Sequence, residues 1–253
     1  WELEWWSVYS ANTLLLDCYR HGRTIFIGDS AHIVPIFGVR GFNNGVLDGV
    51  NIGWKLAWYL AGKADEAILD SYDHERRRAT LDVIEKSEKS TQFMTPRTRG
   101  LAIMRDAALS LALDFPFASQ FANPRNMTPY EYHDSPLTLP DAEAWDAGPP
   151  PGAAAPDARL DGAFLMDGFG PGFSVLAFGD VPGTSLLEEH DLATVLRLPP
   201  VGEVADVYGA GDGDAVLVRP DRFIAARWHR ADGAVTLSAI FRICAGGTQE
   251  DGR

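Results

Sequence analysis

Between residues 28 and 45 the chain gathers groups suited to binding: Gly28-Asp29-Ser30-Ala31-His32, then Pro35, then Gly38-Val39-Arg40-Gly41-Phe42-Asn43-Asn44-Gly45. A carboxylate at Asp29 can accept hydrogen bonds from ligand hydroxyls, as a sugar-like chain requires. The glycines let backbone approach a flat ligand, because no Cβ intervenes. If a helix opens here, the amides of Gly41, Phe42 and Asn43 are its unpaired first donors and favour a ligand oxygen carrying negative charge. Each feature has a plainer alternative. A glycine-rich strand-to-helix loop is often mere connection, and a lone His32 reads as a hydrogen-bonded structural histidine.

The elements that must position these groups are legible from periodicity. Residues 24–28 (TIFIG) form a β-branched and aromatic run that predicts a buried strand. From Asn44 the period becomes helical, with Val46, Val50, Trp54, Ala57, Trp58 and Ala61 on one apolar face until Gly62. Trp54 and Trp58, one turn apart, read as core. A second helix is predicted over about 65–91, with Leu69, Tyr72, Ala79 and Val83 inward, and a third over 100–112. The 94–121 segment, with Phe115, Phe117 and Phe121, reads as core rather than as cover for a ligand pocket. Residues 146–157, rich in Pro, Gly and Ala, read as a linker with nothing to bury. Beyond it, strands are predicted over 173–178, 193–198, 215–218, 223–228 and 235–243, with short helices over 186–192 and around Val201.

Composition bounds the function classes. The chain has 253 residues, 46% of them hydrophobic, which suffices for a core. Its net charge of −13 disfavours a general affinity for nucleic acid or an anionic membrane. No uninterrupted apolar run approaches the roughly 18–20 residues of a membrane span. Two cysteines, Cys18 and Cys244, provide neither a disulfide framework nor a cysteine-rich zinc site, and a cytoplasmic location is expected. The opening Trp1-Glu2-Leu3-Glu4-Trp5-Trp6 looks like the middle of a fold, so a piece of a longer polypeptide is expected.

The whole string resembles the second flavin fingerprint of FAD-dependent aromatic hydroxylases, the single-component flavoprotein monooxygenases of the phenol hydroxylase type. Their pattern is Gly-Asp-Ala-Ala-His, a Pro, Gly-x-x-Gly-x-Asn-x-Gly and Asp-x-x-Asn-Leu-x-Trp-Lys-Leu. Here Asp48, Asn51, Ile52, Trp54, Lys55 and Leu56 continue in register, and Tyr72, Glu75, Arg76 and Arg77 match the family's Tyr-x-x-Glu-Arg-Arg. Ile36, Val39 and Gly49 depart from the usual residues without removing a ligand.

The resemblance implies an α/β fold: the C-terminal part of a glutathione-reductase-type FAD-binding domain with following helices (1–145), the linker (146–157) and a thioredoxin-like module (158–253). It implies that Asp29 binds the ribityl chain of FAD, that Gly28 lets that chain pass, and that Pro35 lies beside the isoalloxazine ring. Gly41, Phe42 and Asn43 would point amides at the pyrimidine end, where they stabilise the reduced anion. Arg40 is either a cation that raises the flavin potential or a solvated loop residue. Asp48 and Asn51 read as helix-positioning residues, and Arg76, Arg77 and Arg78 as a solvated or salt-bridged face. Tyr9 and Asn12 either border the substrate pocket or pack a sheet.

The strand–Gly-x-Gly-x-x-Gly–helix unit that holds the FAD pyrophosphate in this family is absent, as is its Asp-Gly motif. Gly209-Ala210-Gly211-Asp212-Gly213 lacks a following apolar helix and reads as a turn. The tail has no Cys-x-x-Cys, so its module reads as structural or dimer-supporting. The implied parent is an FAD- and NAD(P)H-dependent monooxygenase that hydroxylates a phenolic or other aromatic compound with dioxygen through a flavin C4a-hydroperoxide. This chain alone is expected to be inactive without an N-terminal half, and no metal is expected. The alternatives are a non-catalytic fragment or binding module that kept the fold without flavin, or a related flavoenzyme with different chemistry.

Overall fold

The computed structural model describes residues 1–2, 4–6, 8, 12–35, 40–122 and 129–247. Tyr9, Ile36, Gly38 and Val39, named above, lie outside the described residues. The chain divides into two compact units, Trp1–Gly49 with Arg76–Thr128 and Val50–Glu75 with Pro129–Arg253.

The first unit begins with four two-residue strands, β1 (Leu14–Leu15), β2 (Arg20–His21), β3 (Thr24–Ile25) and β4 (His32–Ile33). β1 pairs antiparallel with β4, and β2 with β3. The strand predicted over 24–28 is therefore only half of a hairpin, turned at Gly22, and Thr24 and Ile27 are exposed rather than buried. β3 has a single neighbour among the described residues, so its side chains have little to pack against.

Long helices follow: α1 (Gly41–Leu60), α2 (Asp70–Met94), α3 (Arg99–Asp114) and the short α4 (Ser119–Ala122). α1 starts three residues before the predicted point, and α2 is preceded by a 3-10 turn over Glu66–Leu69. Leu69, Tyr72, Ala79 and Val83 are buried as their spacing predicts. α1 departs from expectation. Val46 and Val50 are exposed, whereas Asn44, Asp48, Asn51 and Lys55, at four-, three- and four-residue steps, are buried beside Trp54 and Trp58. A stripe of polar groups faces inward because partners on α2 and beyond satisfy them, as described below.

The 94–121 segment is not core. Ala108 is the buried residue of α3, while Ile103, Met104, Leu113, Phe115, Phe117 and Phe121 are exposed. The three phenylalanines pack on one another, with ring centroids 6.0 and 6.4 Å apart, which leaves their outer faces open to solvent.

The second unit holds the C-terminal half of α1, the first turns of α2 and the tail. Its strands are β5 (Arg159–Leu160), β6 (Ala163–Phe164), β7 (Phe173–Phe178), β8 (Ala193–Leu198), β9 (Ala215–Val218) and β10 (Ile224–Trp228). The main sheet runs β10-β9-β7-β8, with β7 parallel to β8 and the other pairs antiparallel. All six residues of β7 are buried, as expected of a strand covered on both faces. Helices α5 (Ser185–Glu189), α6 (Glu203–Tyr208) and α7 (Gly233–Cys244) complete it. Leu176, Phe178, Leu198, Val204, Tyr208, Val216 and Ile224 form one core cluster. Trp54 and Trp58 pack edge-on against Phe173 at 5.9 and 5.1 Å, so their reading as core holds. The 209–213 glycine cluster follows α6, and Gly209 caps that helix in the left-handed conformation.

Residues 235–243, predicted as a strand, are helical instead. Asp232 caps α7 by accepting the Val235 N–H at 2.7 Å, and the buried positions 236, 239, 240, 243 and 244 follow a helical step. The cap and this spacing outweigh the β-branched composition.

The 146–157 stretch does have something to bury. Ala153 and Ala155 are buried, and backbone bonds run from Gly152 N–H to Ile224 O and from Ala155 N–H to Arg222 O, both 2.8 Å. At Gly148 (φ +81°) any Cβ would stand 2.2 Å from Tyr208 O, so only glycine fits.

The preceding stretch is strapped down by two cationic side chains. Arg227 makes a two-nitrogen contact with Asp141, and its guanidinium lies 4.7 Å from the Trp145 ring centroid. His229 stacks on Trp145 at 4.1 Å, with Nδ1 2.9 Å from Asp214 and Nε2 3.2 Å from Ala144 O. Both nitrogens face acceptors, so only the imidazolium satisfies both. The hydrogen bond to Asp214 accordingly raises the His229 pKa above its usual value. A raised folded pKa contributes stability that is complete below the unfolded pKa of about 6.5 and is lost as pH rises through the folded value. The difference in urea stability between the parent and His229→Gln is therefore expected to be about 1 kcal/mol at acidic pH and to fade under alkaline conditions. A difference independent of pH would refute the imidazolium strap.

Candidate functional site

The candidate site sits in the first unit, where β4 leads to α1. Gly28–Ser30 form a 3-10 turn, and Gly28 has φ +55°, a conformation glycine adopts without strain. Ser30 closes the turn, its hydroxyl donating to Ile27 O at 2.7 Å and accepting the Ile27 N–H at 3.1 Å. Asp29 lies exposed at the middle of the turn. The turn is pinned to α1 by Gly28 N–H, which donates to Asp48 Oδ2 at 2.9 Å. A Cβ at Gly45 would stand 3.3 Å from Gly28 Cα, so two glycines permit the close approach.

α1 opens at Gly41. Its first intrahelical bond runs from Asn44 N–H to Arg40 O at 2.8 Å, leaving the amides of Gly41, Phe42 and Asn43 ahead of it. The Phe42 and Asn43 side chains are exposed. Arg40 is half-buried, and its Nε is buried without a hydrogen-bond partner among the described residues. Pro35 is buried. The structure thus joins Gly28 and Asp29 to the start of α1 through Asp48.

A buried network holds this arrangement. Asp48 accepts from Gly28 N–H, from His32 Nε2 at 2.7 Å and from Arg76 Nε at 2.7 Å. Arg76 also reaches Asn44 Oδ1 at 2.5 Å, and Asn44 Nδ2 donates to Thr80 Oγ1 at 2.8 Å. Burial works against the Asp48 charge, yet the His32 hydrogen bond and the Arg76 guanidinium outweigh it and hold the carboxyl below its usual range. His32 is the hydrogen-bonded structural histidine expected. Of the two alternatives for Arg76, the salt bridge holds and solvation does not. Thr80 was missed, although its four-residue offset from Arg76 matches that of Asn44 from Asp48.

A cavity of about 510 Å³ opens in the same unit, lined by Pro35, Thr13, Thr91, Thr95, Arg97, Thr98 and neighbouring residues of α2 and α3. Asn12, adjacent in sequence to Thr13, is exposed.

A second buried network lies in the other unit. Glu75 accepts from Lys55 Nζ at 2.7 Å, Asn51 Nδ2 at 2.8 Å, both terminal nitrogens of Arg219 and the Ser135 hydroxyl. Asp221 faces Arg219 at 2.6 Å, and Asn51 also donates to Asp221. Trp54, Tyr132 and Phe223 surround the Arg219 guanidinium at 5.6, 5.6 and 5.9 Å. Against the cost of burial, Arg219 and Lys55 hold the Glu75 carboxyl well below its usual range. Burial, opposed by Glu75, lowers Lys55 to about 8. Asn51 and Lys55 are thus held within this buried network.

Residues 1–87 match the family described as an FAD binding domain. The chain is 32% identical to a 3-(3-hydroxy-phenyl)propionate/3-hydroxycinnamic acid hydroxylase of Mycolicibacterium vanbaalenii, over 93% of this chain and 47% of that protein. Nearly the whole chain is thus similar to about half of that hydroxylase, and its first 87 residues to an FAD binding domain. Among solved structures, the rebeccamycin biosynthetic enzyme RebC with reduced flavin superposes with a TM-score of 0.72 at 25% identity, covering 92% of this chain and 47% of that one. A ternary complex of aklavinone-11 hydroxylase with FAD and aklavinone gives 0.66 at 25% identity, covering 92% and 45%. The chain spans about half the length of these proteins. Among the described residues no helix is long and apolar enough to cross a membrane, and no group of His, Cys, Asp and Glu is arranged to hold a metal.

Proposed function

We propose that this chain is the C-terminal part of an FAD-dependent monooxygenase that hydroxylates a phenolic or other aromatic compound, with NAD(P)H as reductant and dioxygen as oxygen source. One observation carries the proposal: the Gly28–Ser30 turn, with Asp29 exposed, is pinned by a buried carboxylate to the start of a helix whose first amides are open.

The residues fit the cofactor. Asp29 accepts hydrogen bonds from the ribityl hydroxyls, and Gly28 presents no side chain to that group. The amides of Gly41, Phe42 and Asn43 receive the electron-rich pyrimidine edge, and Pro35 borders the ring. The buried, unpartnered Nε of Arg40 supports a donor or cation role over a solvated one. FAD, when bound, supplies electron transfer and oxygen activation. The protein's share is to orient the aromatic ring, exclude water and stabilise developing charge.

The chain is organised, in this proposal, as FAD-domain residues 1–145, a connecting segment 146–157 and a thioredoxin-like module 158–253. The β7–α5–β8 crossover followed by the β9–β10 hairpin and α7 supports the module assignment. Without Cys-x-x-Cys the module is structural or supports a homodimer. The free thiols of Cys18 and Cys244 support a cytoplasmic setting.

Purified alone, mixed with FAD and gel-filtered, the chain is expected to emerge colourless, because the pyrophosphate site lies in the missing N-terminal half. Recombined with the N-terminal half of the Mycolicibacterium relative, it is expected to retain a visible flavin band and to support phenol-dependent oxidation of NAD(P)H. Flavin retained by the isolated chain would sink the fragment proposal. No flavin in the recombined protein would favour the non-catalytic alternative.

A further inference from the structure

We infer that one exposed face of α3 is the surface on which a second copy of this chain docks, with the two α3 helices antiparallel across a twofold axis near Ala107. The inference stands apart from the hydroxylase reading, because it concerns the first unit alone and names a partner rather than a ligand. Ile103, Met104, Leu111, Phe115, Phe117 and Phe121 are 44–67% exposed. They leave on the order of 700 Å² of apolar surface in water, above the roughly 300–600 Å² of the largest patch on a typical monomer. That area is close to the roughly 800 Å² that each partner gives to a specific interface.

Gly100, Ile103, Met104, Ala107, Leu111 and Asp114 recur at three- and four-residue steps and share one side of α3, away from the buried Ala108. A twofold axis makes such a face meet itself. With the axis at Ala107, Ile103 faces Leu111 of the second copy, and Leu111 faces the second copy's Ile103. The small Gly100 and Ala107 let the two helices approach closely.

The charges select a second copy over an unrelated apolar partner. Arg99 opens α3 and Asp114 closes it, and both are exposed. Each stands at the end where the helix dipole disfavours its sign, since acids suit a helix N-terminus and bases a C-terminus. In an antiparallel pair each end gains the opposite end of the other helix as its neighbour. Gly100 faces Asp114 of the second copy, so the adjacent Arg99 reaches that carboxylate and the open carbonyls of the helix end. By symmetry Asp114 reaches the second copy's Arg99 and its first amides. Charges that oppose the dipole of their own helix thus complement that of its mate.

The test is sedimentation equilibrium of the full chain over a concentration series, with circular dichroism as the check on folding. The parent is expected to dimerise at micromolar concentration and Ile103→Glu to stay monomeric over the same range. Ile103 is exposed, so the new carboxylate stays in water in the free chain. Arg99→Glu and Asp114→Arg should each weaken the dimer about tenfold, and the double variant, which restores opposite charges, should recover it to within about threefold. Each reversal suits the helix dipole, so neither threatens α3. A parent that is monomeric at every concentration, a dimer indifferent to Ile103→Glu, or a double variant no tighter than the single ones would overturn the inference. The recombined enzyme separates this failure from that of the hydroxylase reading. Flavin and turnover in a monomer mean that the N-terminal half covers the face and sink only the docking assignment, whereas a charge-swappable dimer without flavin sinks only the hydroxylase.

Discussion

Glu75→Ala is expected to destabilise the second unit by about 3–5 kcal/mol, among the largest losses any single substitution here should cause. The carboxylate is fully buried and faces two fully buried cations, Lys55 and Arg219, with Asp221 the other acid of the cluster. Removing it leaves two positive charges against one negative charge out of water, and the desolvation of the extra cation is no longer offset. Glu75→Gln keeps oxygen and volume but not charge, so an intermediate loss is expected. The pH dependence follows from the sign of the shift. Glu75 is held well below the ordinary carboxylate value, so its contribution is present above the unfolded pKa of about 4.3 and is lost as pH falls through the lower folded value. Urea midpoints for the parent and both variants at neutral and acidic pH check this. A loss under about 1 kcal/mol for Glu75→Ala would mean that the cluster behaves like a solvated surface pair.

Asp48→Ala should cost about as much, roughly 3–5 kcal/mol, with a local signature at the candidate site. Three donors converge on this carboxylate, and one of them is the backbone of Gly28. Without it, Arg76 stays buried without its carboxylate partner, and the Gly28–Ser30 turn loses the tie from Gly28 N–H to α1. Hydrogen exchange of the Gly28 amide should accelerate well beyond the change at amides in the middle of α2. Unchanged protection at Gly28 would show that the turn is held by something other than Asp48. Because Asp48 also lies below its usual pKa, the first unit should loosen as acid protonates it.

These two clusters mark where a sequence is hard to interpret. The apolar repeat on α1 predicts a buried face through Val46 and Val50, yet both are exposed and the buried face there is Asn44 and Asp48. Periodicity identifies which residues share a face, but it assigns the inner face by hydrophobicity. A polar stripe buried against complementary charge inverts that rule. Arg76 was legible as a salt-bridge candidate, but its partner is 28 residues away and has no local signal. Residues 235–243 failed for a different reason. Alternating apolar and β-branched residues satisfy both periods over a short window, and the Asp232 cap decides for helix.

Local chemistry alone determined a good deal of this protein. The four sheet strands from 173 to 228 and the three long helices all follow from spacing, glycine placement and residue type, which act over a few residues. Tertiary structure alone decided which polar groups go inside: Glu75 meets Arg219 across 144 residues, and Asp48 ties the Gly28 turn to its helix. A buried charge is stable only when its partners are in place, and the chain order of those partners is set by the fold rather than by any pattern within one element.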